Sequence, residues 1–313
     1  HVTERAGRTF PPGSGVVLGP GDDAALLEAP AGEHLVVTAD TLVEGVHFAA
    51  EDAPAAIGHK ALAVNLSDLA AMGASPRWVM LNLVLPEGDL RWLDGFLDGW
   101  LPLAERYAAR LVGGDITRGA RSITVQALGT VPKAKALRRS GARPGDQLWV
   151  SGALGGAARA LELRAAGESV PADLAERLDR PRPRVGLGLG LRGLASACID
   201  LSDGLLADLG HVLAASGTGA RIEWERLPLA AGLKSLDAEH RWALAGAGGD
   251  DYELCFTAQP GRREAIRRLS AELGLELSPI GVIEDVDGLR CTRPDGTEWM
   301  PTGTGYRHFG ERE

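Results

Sequence analysis

The sequence predicts an α/β protein of the α+β type, folded as two α/β sandwich domains, and three observations lead there. Strand-like and helix-like segments alternate along the whole chain, but in a mixed order that does not fit a single doubly wound sheet. The 313 residues exceed one ordinary domain at roughly 100–200 residues each. A basic stretch at residues 133–143 breaks the pattern before a fresh strand begins, so the boundary is placed between 1–135 and 136–313.

The elements follow in order. Residues 34–40 (HLVVTAD) read as a short buried strand ending in an acid. Residues 53–73 carry Ile57, Ala61, Val64, Asp68 and Met72 at three- and four-residue spacing, the signature of one helical face. Residues 76–86 (PRWVMLNLVLP) are a proline-bounded β-rich run, and 89–110 read as a second helix with Asp89 as its N-cap. Leu111 and Val112 lead into Gly113-Gly114-Asp115, and residues 122–131 alternate as a strand.

After the turn at 143–146 (RPGD), QLWVSG (147–152) is a strand leading into a helix rich in Ala, Leu and Gly. RPRPR (180–184) is a stiff connector, because each proline turns its predecessor away from helix. Strands are expected at 197–200, 220–224 and 279–283, and helices at 204–215 and 262–273.

Composition excludes several classes of function. Forty-two acidic residues against 33 basic give a net charge of −9, the wrong sign for a uniformly nucleic-acid-binding surface. No apolar run approaches the ~20 residues of a membrane span. No signal peptide is read at the start. Cys198, Cys255 and Cys291 include no CxxC, which argues against a disulfide framework or thiolate zinc site and fits a reducing cytoplasm. No nucleic-acid or membrane partner and a cytoplasmic location are therefore expected. The chain begins at His1 rather than Met, and part of the native N-terminus is expected to precede it.

One motif misleads. Residues 188–193 match GxGxxG, with Asp208 about 20 residues on where a ribose-binding acid would stand. A dinucleotide site needs this motif after a strand and opening a helix, and here it follows Arg182-Pro183-Arg184. Its glycines read instead as close-packing positions. GxxxxGK[ST] is absent too, so any nucleotide is handled outside the P-loop class.

A repeated pattern of aspartates stands out more. An acid sits beside glycine or closes an apolar run at 21–23, 38–40, 113–115, 200–204 and 248–251, and Asp68 falls on an apolar helix face. Singly, each is ordinary turn or capping chemistry. Together they repel: two carboxylates at about 4 Å cost on the order of 4 kcal/mol at an effective dielectric of about 20. Few cations accompany them, so convergence calls for divalent metal, and an all-oxygen set without paired His or Cys favours Mg²⁺. Neighbouring glycines let phosphate oxygens approach backbone N–H groups. The pattern reads as a polyphosphate-handling, multi-magnesium site.

The motifs GDDAALL (21–27), TADTLVEGVHF (38–48), KALAVNLSDLAAMGA (60–74) and GGDITRG (113–119) carry a resemblance, joined by RSGARPGD (139–146), DLSDGLLADLGH (200–211), GGDDYELCF (248–256) and GYRHF (305–309). In this order the set resembles the thiamine-monophosphate kinase family, within the aminoimidazole-ribonucleotide-synthetase-like (PurM-like) superfamily. The resemblance implies ATP-dependent phosphorylation of thiamine monophosphate to thiamine diphosphate. It also implies a homodimer whose N-terminal sheets pair, with 1–135 as the metal- and ATP-binding and dimerisation domain.

Carried over by position, Asp23, Thr38, Asp40, Asp68, Asp115, Asp200 and Asp203 resemble magnesium ligands, with Ala39 offering backbone only. Tyr107, Gly114, Asp115, Arg139 and Ser202 resemble ATP contacts, and His47, Asp250 and Tyr306 resemble substrate contacts. Asp115 and Arg139 are the residues expected to bear on catalysis. Asp250 departs from the family's usual glutamate by one methylene, and the helix that precedes the first motif in the family is mostly absent.

The chemistry matches this inventory. A phosphate monoester has a second pKa of about 6, so the acceptor is already nucleophilic at neutral pH. Direct in-line transfer then needs positioning and charge neutralisation by Mg²⁺ and a cation such as Arg139, not a general base. The residues leave three other readings open: a superfamily member with another acceptor, a two-metal phosphohydrolase, and a nucleotide-binding protein that transfers nothing.

Overall fold

A computed structural model describes residues 1–7, 9–303 and 305–306. The chain divides into two compact units, one of residues 1–69 and 74–136, the other of 70–73 and 137–313.

The first unit runs α1 (Val2–Ala6), β1 (Val16–Leu18), β2 (Leu26–Leu27), β3 (Glu33–Val43), α2 (Pro54–Ala71), β4 (Ser75–Leu85), α3 (Leu90–Arg106), β5 (Arg110–Arg118) and β6 (Ser122–Pro132). Its main sheet has the order β3-β6-β4-β5, antiparallel except for the β4–β5 pair. Asp89 caps α3 by accepting N–H groups from Arg91 and Trp92, which ties down two of the helix's orphan donors.

Two sequence expectations change here. α2 is not one-faced: residues 61–67 are all buried, so its periodicity marked part of an almost wholly enclosed helix. α3 ends at Arg106, short of the expected 110, because Ala108 turns left-handed (φ 52°) and β5 begins at Arg110. Gly113-Gly114-Asp115 therefore lies inside a strand. α2 and α3 meet through glycines: a Cβ on Gly58 would collide with the Phe96 carbonyl, and one on Gly99 with the Ala55 carbonyl.

The second unit contains β7 (Gln147–Ser151), α4 (Gly156–Ala165), α5 (Ala172–Asp179), α6 (Val185–Gly190), β8 (Ala197–Asp200), α7 (Leu205–Ser216), β9 (Gly219–Glu223), α8 (Ala238–Ala247), β10 (Leu254–Ala258), α9 (Arg263–Leu273), β11 (Leu277–Glu284) and β12 (Gly288–Thr292). Its sheet order is β12-β9-β11-β7-β10-β8, with only β12–β9 parallel. Leu148, Val150, Ile199, Leu209, Ile222 and Trp224 belong to its core. The misleading glycine motif falls in and after α6, where Gly188 packs against the Ala70 carbonyl and Gly190 against Leu269. All three cysteines, on β8, β10 and β12, are free and buried. Burial pushes each thiol pKa up.

Candidate active site

In the first unit the site grows out of β3. Thr38 and Asp40 are two residues apart and so share a face of the strand. The Thr38 Oγ1 hydroxyl donates to Asp68 Oδ2 on α2 at 2.5 Å, and the Asp40 N–H donates to Asn65 Oδ1 at 3.1 Å. Asn65 is in turn fixed by donating from Nδ2 to the Ala61 carbonyl. Asp40 and Asp68 share a side-chain hydrogen bond; burial, then the Asp68 charge, pushes the Asp40 carboxyl up to about 6. Ala39 is exposed on the opposite face.

Asp115 is exposed on β5, one residue beyond the cross-strand row Asp40, Val125, Leu81, Gly114. Three strand spacings separate that row's ends, roughly 14 Å. Gly114 has φ 142° and no room for a Cβ against the Leu81 carbonyl. Asp23 is exposed in a turn, its N–H donating to the Asp22 carboxylate. The His47 Nδ1 accepts the Val43 N–H at 3.0 Å, which fixes the ring as its Nε2–H tautomer. Tyr107 follows α3, with the Arg106 guanidinium 5.5 Å from its ring centre.

In the second unit two loops are laced together. Asp250 N–H donates to the Ser202 carbonyl at 2.9 Å, Tyr252 N–H to Leu201, and Leu201 N–H to Glu253. Tyr306 N–H reaches the Asp203 carbonyl at 3.0 Å. The folding thus gathers Asp200, Ser202, Asp203, Asp250 and Tyr306, drawn from three separate segments between residues 200 and 306. Arg139 is exposed, its carbonyl accepting from the Ser216 hydroxyl. Residues 307–309 of the closing motif lie outside the described residues.

Four supporting side chains escaped the sequence reading. Asp208, in the first turn of α7, accepts the N–H groups of Asp203 and Gly204. Burial, then the Asp203 charge, pushes its carboxyl up to about 7. Its place five residues after Asp203 was the available signal. Asp251 accepts the Gly155 N–H at the start of α4, and burial pushes its carboxyl up to about 8. The buried Glu253 forms an ion pair with the half-buried Arg184. A cavity of about 250 Å³ is lined by Arg177, Arg184, Asp251 and Glu253, among others.

Among the described residues, no group of three or more His, Cys, Asp or Glu side chains is gathered to hold a metal by itself. Thr38, Asp40 and Asp68 nonetheless fit a hard divalent cation. All their donor atoms are oxygens, and two carboxylates share one hydrogen bond where a cation would relieve their repulsion.

The AIR synthase related protein family matches this chain twice, its N-terminal domain over residues 21–131 and its C-terminal domain over 143–293. The thiamine-monophosphate kinase of Salmonella typhimurium is 45% identical over 303 residues, 94% of this chain and 92% of its own. The crystal structure of thiamine-monophosphate kinase from Stenotrophomonas maltophilia K279a superposes with a TM-score of 0.86 at 49% identity, over 91% of this chain and 92% of that one. A second solved structure, AaThiL complexed with AMPPCP and TMP, has a TM-score of 0.78 at 33% identity, over 92% and 91% of the two chains.

Proposed function

We propose, given that the chain belongs to the thiamine-monophosphate kinase family of AIR synthase related proteins, that it transfers the γ-phosphoryl group of ATP to thiamine monophosphate. The products are thiamine diphosphate and ADP. Membership makes the chain a kinase; the relative solved with AMPPCP and TMP supports the choice of donor and acceptor.

The observation that carries the mechanism is the Asp40 and Asp68 carboxyl pair, which share a side-chain hydrogen bond while the Thr38 hydroxyl donates to Asp68. Mg²⁺ bound there would neutralise the carboxylates and the phosphate oxygens they face. Asp23, Asp115, Asp200 and Asp203 are the further carboxylates assigned to metal, and Ala39 is assigned there through its backbone alone. Gly114 offers close backbone approach to a phosphate, Tyr107 and Ser202 border the nucleotide, and the exposed Arg139 supplies positive charge. His47, Asp250 and Tyr306 orient the acceptor. The acceptor phosphate needs no base to attack, so these residues align donor and acceptor for one in-line displacement.

We further propose a homodimer formed through the N-terminal sheet. β3 is an edge strand with Leu35, Val37 and Val43 at least a third exposed, an apolar row that a second copy would cover. A cytoplasmic location is proposed from the chemistry of the unpaired thiols.

The test is an ADP assay on purified protein with ATP, Mg²⁺ and thiamine monophosphate. Turnover should require all three. Phosphate release without a thiamine acceptor would point to a hydrolase instead, and heat protection by nucleotide without turnover to a binding protein.

A further inference from the structure

The RPRPR connector has no part in the reaction outlined above, yet it ends on a built contact. Pro181 and Pro183 are buried, and the connector delivers Arg184 to the position just before α6. From there the guanidinium takes Glu253 with two nitrogens: Nε donates to Oε2 at 2.6 Å and Nη2 donates to Oε1. Ser151 Oγ donates to the same Oε2 at 2.5 Å and accepts the Leu254 N–H. Gly152 leaves the room this needs, since a Cβ there would collide with the Glu253 carboxylate. Glu253 is 3% exposed, so its charge is stable only with such partners.

What the clamp holds is the turn just before it. Asp250 and Tyr252 both have left-handed backbones, φ 68° and 47°, and neither is glycine. Such backbones are strained and persist only where the surroundings over-determine them. The Tyr252 hydroxyl donates to Asp250 Oδ1 at 3.1 Å, so the strained turn also sets the direction of that carboxylate. The neighbouring loop has its own anchor, because Asp208 accepts the Asp203 and Gly204 N–H groups.

We infer that Arg184 is a positioning residue: its forked ion pair with Glu253 holds the 250–252 turn so that Asp250 meets the phosphate-accepting substrate. This rests on the reading of Asp250 as a contact to thiamine monophosphate. A fork matters because one planar guanidinium fixes both carboxylate oxygens, whereas an ammonium fixes a point.

The experiment is steady-state kinetics on the full chain with thiamine monophosphate and ATP varied in turn. In Arg184→Ala the KM for thiamine monophosphate is expected to rise about tenfold, as for loss of a buried charge-assisted pair, while the KM for ATP stays within about twofold. Arg184→Lys should fall between wild type and alanine. Guanidinium at millimolar concentration, small enough for the adjoining cavity, should lower the raised KM of the alanine variant. Should that variant be insoluble, Arg184→Lys and Ser151→Ala decide the matter in the same assay, each raising the acceptor KM alone. An unchanged acceptor KM in soluble variants overturns the inference. So does a parallel rise in both KM values, or a loss of active fraction alone, since either marks a general structural role. A wild-type protein that fails to phosphorylate thiamine monophosphate would instead remove the reading beneath it.

Discussion

At the scale of single residues, buried carboxylates dominate the second unit. Burial raises the Asp251 carboxyl to about 8, against roughly 3.9 in an unfolded chain. The folded protein therefore holds a proton that the unfolded chain releases between those values. The stability from this group is fully present below about pH 4 and is lost as pH rises through about 8. Asp251→Asn keeps an acceptor for the Gly155 N–H and removes the titration. Its melting temperature should gain on wild type steadily between about pH 5 and about pH 8; parallel curves would refute the assignment. Asp115 is exposed on β5. Asp115→Asn should lower turnover about 10²–10³-fold with an unaltered melting temperature, as circular dichroism and the ADP assay would report. If turnover survives, the assignment of Asp115 to metal is wrong.

At the scale of elements, backbone approach decides more than helix propensity. Gly58→Ala should favour an isolated α2 by about 1 kcal/mol. In the folded unit the added methyl meets the Phe96 carbonyl, so a net loss of about 1–3 kcal/mol is expected from urea unfolding. The legibility of elements followed the same divide between local and distant causes. Residues 197–200 were readable to their observed bounds, because a short apolar run closed by an acid is a local signal. The end of α3 was not, since nothing marks Ala108 for a left-handed turn. β10 was missed because all five of its residues are buried and no alternation remains to be seen. α5, α6 and α8 were missed as well, each being ten residues or shorter. At the site, Thr38, Asp40 and Asp68 could be named from motifs, but the Thr38–Asp68 bond spans 30 residues and no local pattern predicts it. The Arg184–Glu253 pair spans 69, and only the odd stiffness of RPRPR drew attention to one end.

At the scale of the molecule, the acidic surplus changes meaning. Six of the 42 acidic residues first read as an argument against nucleic acid, Asp23, Asp40, Asp68, Asp115, Asp200 and Asp203, are the ones proposed to hold cations. The proposed dimer makes its own prediction: light scattering should return about twice the 32.8 kDa chain mass, and Val37→Lys, on the exposed row of β3, should return the monomer. A monomeric wild type would rule out that use of the sheet. The cysteines have a practical consequence of a different sort. All three lie in the second unit and are buried, so a maleimide or iodoacetamide finds no target until that unit opens. The rate of alkylation is then a built-in clock for opening of one half of the chain, read without introducing any probe, and its slowing by nucleotide would time how firmly a bound ligand keeps that half shut.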